Sequence, residues 1–213
     1  MLLAEGANIF AIGRTQSKLD ELAADHPTDR LVAYACDVTS EAAVEAAFEA
    51  CRERFGGIDV LINNAGIGLP TPDLAETDLA TYESMVNVNM TGLFLCTREA
   101  LKIMKPSGKG HIINVVSVAG QSTNPTAPLY CASKFGARGI SSGTADQVLK
   151  LGIKVTDVNP GPVNTDYWGE RAVPREKFLS PEDVAGVIRF VVTLPEHVLI
   201  QEINFNSLNW MMK

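Results

Sequence analysis

Six short apolar runs, at residues 8–12, 31–35, 59–62, 111–116, 154–159 and 200–205, alternate with stretches of helical pattern at 16–24, 40–55, 77–104, 127–151 and 180–193. The first four runs are apolar mainly on consecutive positions, not on alternate ones, so both faces of the strands they form must be covered. Strands that are covered on both sides and separated by helices pair in parallel, because a parallel connection needs a crossover long enough to hold a helix. The helix starts support this order. Ser40 is placed to cap the helix of 40–55, Thr77 or Asp78 that of 77–104, and Ser180-Pro181-Glu182-Asp183 joins a cap to a proline at the first helical position. Residues 1–6 read as the end of a helix closed by Gly6. The expected architecture is an α/β, doubly wound parallel sheet of Rossmann-like type, forming a single domain over residues 1–213.

Composition narrows the classes of function. With 46% hydrophobic and 20% charged residues the chain can bury a substantial core, and a net charge of −7 disfavours nucleic acid and anionic membranes as partners. No apolar run approaches the ~18 residues of a membrane span, and no secretory signal is visible. Cys36, Cys51, Cys96 and Cys131 are widely spaced and form no C-x-x-C pair, so they read as reduced packing residues in a cytoplasmic protein. His26, His111 and His197 fit no metal spacing and read as surface or strand residues, leaving no expected metal site.

The polar and glycine-rich groups gather at strand ends. Gly13-Arg14, Asp37-Val38, Asn63-Asn64-Ala65-Gly66, Ser117 and Pro160 through Thr165 each follow an apolar run, and the carboxyl ends of parallel strands are where such sheets bind ligands. Within the helix of 127–151, Tyr130 and Lys134 are four residues apart and share one face. A nearby ammonium stabilises a phenolate and would lower the phenol pKa from its usual value near 10. Alone the pair is weak, since chance places such a spacing in roughly one chain of this composition in six.

The combination is much more specific. Asn63-Asn64-Ala65-Gly66, Asn89 within Asn-Val-Asn, Ser117 thirteen residues before Tyr130, Lys134 four after it, and Pro160-Gly161 followed by Thr165 occur in one order along nearly the whole chain. In these motifs the sequence resembles the classical short-chain dehydrogenase/reductase family. The resemblance implies an NAD(P)-dependent enzyme that moves hydride between nicotinamide and a small carbonyl or alcohol. Tyr130 would be the general acid or base, Lys134 would lower its pKa and hold the nicotinamide ribose, and Ser117 would polarise the substrate oxygen. Asn89 would anchor a water that relays protons to Lys134. Asp37 and the Val38 backbone would meet adenine, the loop with Asn63, Ala65 and Gly66 the adenosine ribose, and Pro160, Gly161, Val163 and Thr165 the nicotinamide. An arginine at the end of the first apolar run suits a ribose 2′-phosphate where an acid would suit a free hydroxyl. Arg14 therefore points to NADP(H) in preference to NAD(H). The resemblance also implies a homodimer or homotetramer built on the helices of 77–104 and 127–151.

The family's glycine-rich turn and the strand before it have no counterpart here. The sequence reads either as such an enzyme without an N-terminal segment, or as a genuine short form whose sheet has a gap or altered pairing. Because helix N-terminal amides in that turn would hold the pyrophosphate, weak NADP(H) binding is expected. The same departure leaves room for a catalytically inert relative serving as a binding or assembly module. The Tyr-x-x-x-Lys pair is shared with sugar-nucleotide epimerases and dehydratases, though the Asn-Asn-Ala-Gly loop and short C-terminal region fit those less well. Residues 166–179, with Tyr167 and Trp168, are expected to form part of a lid, and the apolar tail with Trp210, Met211 and Met212 to pack against another subunit.

Overall fold

A computed structural model describes residues 1–71 and 73–212. The strands are β1 (Ile9–Gly13), β2 (Leu31–Ala35), β3 (Val60–Asn63), β4 (Gly110–Val115), β5 (Ile153–Pro160) and β6 (Glu202–Phe205). The helices are α1 (Gln16–Asp25), α2 (Glu41–Phe55), α3 (Leu79–Val86), α4 (Leu93–Ser107), α5 (Pro128–Val148), α6 (Pro181–Val192) and α7 (Leu208–Met211). Every strand pair is parallel, as continuous apolar runs require. The strands nevertheless form two sheets among the described residues, β1-β2 and β3-β4-β5-β6. The facing edges of β1 and β3 carry no strand pairing, and a cavity of about 740 Å³ runs between them. The gap foreseen from the sequence thus falls between the first and third apolar runs, and the pairing does not rearrange to close it.

Helix boundaries follow the capping chemistry. Ser40 Oγ accepts from Ala43 N at 3.3 Å and Asp78 Oδ1 from Thr81 N at 2.6 Å. Ser180 and Asp183 complete a reciprocal capping box around Pro181. Gly6, at φ 90°, closes a short turn of helix at Leu2–Glu5, as expected. Other expectations need correction. The helix expected over 77–104 is α3 and α4 joined by a π-helical segment, Asn87–Gly92, and it continues through Pro106 to Ser107. A short helix, α7, follows β6.

Two clusters of buried side chains hold the layers together. One packs Val44, Ala47, Phe48, Leu95, Ala100 and Met104 of α2 and α4 onto Ile112, Ile153 and Val155. The other sets Val191 of α6 on Ile113 and Val158, with Ile203 and Phe205 beside them. The four cysteines are free and buried, as the sequence indicated. His26 and His197 are exposed, whereas His111 is buried on β4. Its Nε2 lies 2.8 Å from Thr156 Oγ1. Thr156 gives its one proton to Ile200 O at 2.6 Å, so His111 must be the donor to it. No group of described residues could hold a metal ion, and no described helix is long and apolar enough to cross a membrane.

Candidate active site

The rim above β3, β4 and β5 is organised by a row of polar residues set into otherwise apolar strands. Asn63, Asn114, Asp157 and Glu202 are register partners across four adjacent strands. Asn63 Nδ2 donates to Asn114 Oδ1 at 2.9 Å and to Thr97 Oγ1 at 3.0 Å. Asn114 Nδ2 donates to Ser141 Oγ at 2.8 Å, and Ser141 donates to Asp157. Glu202 takes Arg138 at 3.0 Å and Asn159 at 2.8 Å. Burial pushes the Asp157 carboxyl up, partly offset by the Ser141 and Asn114 hydrogen bonds. Ser141 and Arg138 both lie on α5, so the row ties that helix to the sheet by directed bonds in addition to apolar contact. Sequence reasoning missed Asn114, Ser141, Asp157 and Glu202. The readable signal was a polar residue near the same level of the four runs that form β3 to β6.

On α5, one to three turns nearer its start, Lys134 is buried and Tyr130 half-buried. Lys134 Nζ lies 5.9 Å from the centre of the Tyr130 ring and donates to Val115 O at 3.2 Å. Burial pulls the Lys134 ammonium down to about 8. Burial likewise dominates at Tyr130, pushing the phenol above its usual range, while a hydrogen bond with Ser117 works the other way. The spacing argument foresaw a phenol lowered by its neighbouring cation. That is corrected: loss of water outweighs the lysine, which points at a backbone carbonyl.

Asn89 sits in the π-helical segment, where the extra residue per turn lets a polar side chain leave the helix surface. It does not bond its own backbone. Its Oδ1 accepts from Ile67 N and its Nδ2 donates to Ile67 O and Ser133 Oγ, each at 2.8 Å. It therefore clamps the loop after β3 to α5. Gly66 in that loop approaches so closely that a Cβ there would stand 3.4 Å from both Asn89 Oδ1 and Lys134 Nζ.

Arg14, Asp37, Val38, Asn63, Ala65 and Gly66 line one continuous cavity that also reaches Asn89 and Lys134. Asp37 Oδ1 accepts from Thr39 N at 2.9 Å and Thr39 Oγ1 at 2.8 Å, and these bonds hold its carboxyl low. Pro160, Gly161, Val163 and Thr165 do not line this cavity. Pro160 ends β5 and the others follow it, leading to a short helix, Asp166–Trp168, whose Tyr167 ring is centred 5.8 Å from that of Tyr130. The expected lid residues thus lie against the site. Trp210 packs on Phe178 of its own chain at 5.4 Å, and Trp210, Met211 and Met212 are exposed.

A family model described as short chain dehydrogenase matches residues 1–175. The chain belongs to the short-chain dehydrogenase/reductase family. An uncharacterised oxidoreductase of Staphylococcus aureus is 30% identical over 203 residues, covering 95% of this chain and 87% of the relative. One from Staphylococcus saprophyticus is 32% identical over 205 residues, with the same coverage. Among solved structures, serine dehydrogenase from Escherichia coli is similar with a TM-score of 0.85 and 32% identity, covering 95% of this chain and 88% of that one. ElxO with NADP bound has a TM-score of 0.86 and 26% identity, covering 99% and 92%. An alcohol dehydrogenase from Thermococcus sibiricus complexed with 5-hydroxy-NADP shares the fold, with a TM-score of 0.88 at 24% identity. As a member of this short-chain dehydrogenase/reductase family, the protein is an NAD(P)-dependent oxidoreductase.

Proposed function

We propose that the protein interconverts a small carbonyl compound and its alcohol with NADP(H), using Ser117, Tyr130, Lys134 and Asn89. The observation that carries this is the convergence of Lys134 and Asn89 on the bare backbone of Gly66, one helical turn from a half-buried Tyr130 that faces Ser117. The nicotinamide, when bound, supplies or accepts hydride. Ser117 and Tyr130 hold the carbonyl oxygen, where charge develops. A phenol kept protonated by burial is a proton donor at neutral pH, suited to reduction. Lys134, cationic below about 8, stabilises the phenolate left behind. Asn89 fixes the distance between the loop after β3 and α5 through Ile67 and Ser133.

The residues present suit the adenosine and nicotinamide ends of the cofactor. Arg14 is exposed beside Asp37 and provides a cation for a 2′-phosphate, supporting NADP(H) over NAD(H). Similarity to the Escherichia coli serine dehydrogenase, and to a closed form of serine dehydrogenase complexed with NADP+, favours a compact polar alcohol or its carbonyl as substrate. Exposed Phe94 and Phe135 on α4 and α5 favour a dimer or tetramer through these helices. A second reading, an inert binding or assembly module, is favoured by the split sheet alone.

The test is NADPH oxidation with short aldehydes and ketones, and NADP+ reduction with serine and related hydroxy acids, at cofactor concentrations up to several millimolar. Cofactor-dependent turnover that is lost in Tyr130→Phe supports the enzyme. Cofactor binding without turnover on any of these compounds supports the inert module.

A further inference from the structure

We infer that Tyr167 is the wall that sets substrate size, and that Gly68 is what gives it room to stand there; this rests on the carbonyl/alcohol reading of the site. The segment that carries Tyr167 leaves and rejoins the body of the protein at one place. Asn164 N donates to Leu179 O at 2.8 Å and Leu179 N to Pro162 O at 2.9 Å, and Val163 bridges Leu179. The excursion between them is therefore anchored at its base. Its first turn, capped by Thr165, aims Tyr167 inward beside Tyr130, with the two rings tilted by 55°.

Behind Tyr167 the segment is braced. Trp168 meets its ring edge-on at 5.2 Å, and Trp168 Nε1 donates to Val163 O at 2.8 Å. Arg171 lies 4.8 Å over the Tyr167 ring and 4.9 Å over the Trp168 ring, and donates to the carbonyl oxygens of both residues. Phe178 continues the stack at 5.0 Å from Trp168, and Trp210 of α7 closes it. A ring held by edge-to-face contacts and a guanidinium has little freedom to swing aside.

In front, the Tyr167 hydroxyl presses into the loop after β3 at buried Gly68. A Cβ at that position would stand 1.8 Å from the Tyr167 oxygen. Only a residue with no side chain leaves that seat open. Tyr130 is thus flanked by Ser117, which meets the reacting oxygen, and by Tyr167, whose hydroxyl hydrogen-bonds the phenol and adds to burial in holding it protonated. A substituent on the carbonyl carbon that projects toward Tyr167 meets a braced ring spanning from Tyr130 to the Gly68 backbone. Compact carbonyl compounds fit in front of it, and longer chains do not.

The test measures equilibrium binding of acetamide, propanamide, butanamide and hexanamide by calorimetry or saturation-transfer NMR. These amides are unreactive carbonyls whose oxygen can accept from Ser117 and Tyr130. The native chain should bind the shorter amides about ten-fold or more tightly than hexanamide, the scale on which pockets discriminate methylene groups. Tyr167→Ala should abolish or invert that order. Gly68→Ala, which displaces the ring without removing it, should act in the same direction, while Tyr167→Phe should keep the native order. The inference is overturned if the native chain shows no size preference or binds none of the amides, or if both Tyr167→Ala and Gly68→Ala keep the native order. Binding needs no hydride transfer, so an ordered amide series without NADPH turnover would sink the enzymatic reading alone. Turnover with an unchanged size order in the variants would sink only the role of Tyr167.

Discussion

Strands β4 and β5 bury all but one residue each, whereas β1 and β2 contain no buried residue. The difference comes from neighbours. β4 and β5 have a paired strand on both sides, helices on both faces, and the row from Asn63 to Glu202 bonded across them. β1 has β2 on one side and the cavity on the other, where the edge of β3 stands opposite. An unpaired edge leaves backbone donors and acceptors to water or to whatever enters. The residues proposed for proton transfer thus stand on the continuous part of the molecule, and the residues proposed for the nucleotide straddle the broken part. Rigidity and cofactor capture are separable properties in this chain.

Removing the reacting group should have the largest effect. Tyr130→Phe is expected to lower turnover by about 10³-fold, the middle to upper range for a general acid, while leaving NADPH affinity within about two-fold, because the nucleotide cavity is lined without Tyr130. Steady-state rates and a fluorescence titration on the same sample check both parts. An equal loss of affinity and rate would erase the division between the two halves.

The next largest effect concerns the continuous half. His111 is buried and held down to about 4, chiefly by burial. In the unfolded chain it titrates near 6.5. Between those values the unfolded state takes up a proton that the folded state refuses, so stability is full above pH 6.5 and falls on acidification until about pH 4. The loss is at most about 3 kcal/mol. Urea unfolding between pH 7 and 4 should show this slope, and His111→Gln, which keeps a donor for Thr156, should flatten it. An unchanged slope would mean that the β4–β5 interior is more hydrated than its burial indicates.

Much of this division was legible in the sequence. Continuous apolar runs gave parallel strands, Ser40, Asp78 and Ser180 marked helix starts, and the spacing of Asn89, Ser117, Tyr130 and Lys134 located the proposed chemistry. The lack of a glycine-rich turn foretold the gap. Other features depend on what spacing cannot encode. The π-helical segment at Asn87–Gly92 is rich in weak helix formers, but its extra residue per turn is visible only in its hydrogen bonding. The direction of the Tyr130 shift turns on how much water reaches the phenol, so the lysine four residues away was a misleading guide. Trp210 reaches Phe178 because α7 folds back on the lid, a long-range contact with no local signal.

A smaller effect separates the two partners on α5. Lys134 should lose its proton near pH 8, so carbonyl reduction should fall above that pH, approaching ten-fold per unit. Lys134→Arg should react more slowly but without this limb, since a guanidinium stays charged throughout the range. A limb that survives the substitution would have to come from another group.

The smallest predicted effect lies in the broken half, and it compares one residue with a missing surface. Between β1 and β3 the cavity presents strand edges and apolar side chains such as Ile9, Ala11, Val60 and Ile62, not the array of helix N-terminal amides that suits a pyrophosphate. NADPH should therefore bind this 213-residue chain more weakly than micromolar. Arg14 acts at the far end of the same cavity, on the ribose, and as an exposed cation its contribution is modest. Arg14→Ala should weaken NADPH by about ten-fold or less and leave NADH unchanged, narrowing the preference between them without touching amide binding at Tyr167. Titrations of both nucleotides decide the point. Micromolar NADPH affinity in the native chain would show that the open slot does not limit capture, and equal losses for NADPH and NADH would remove Arg14 from the reading of the 2′-phosphate.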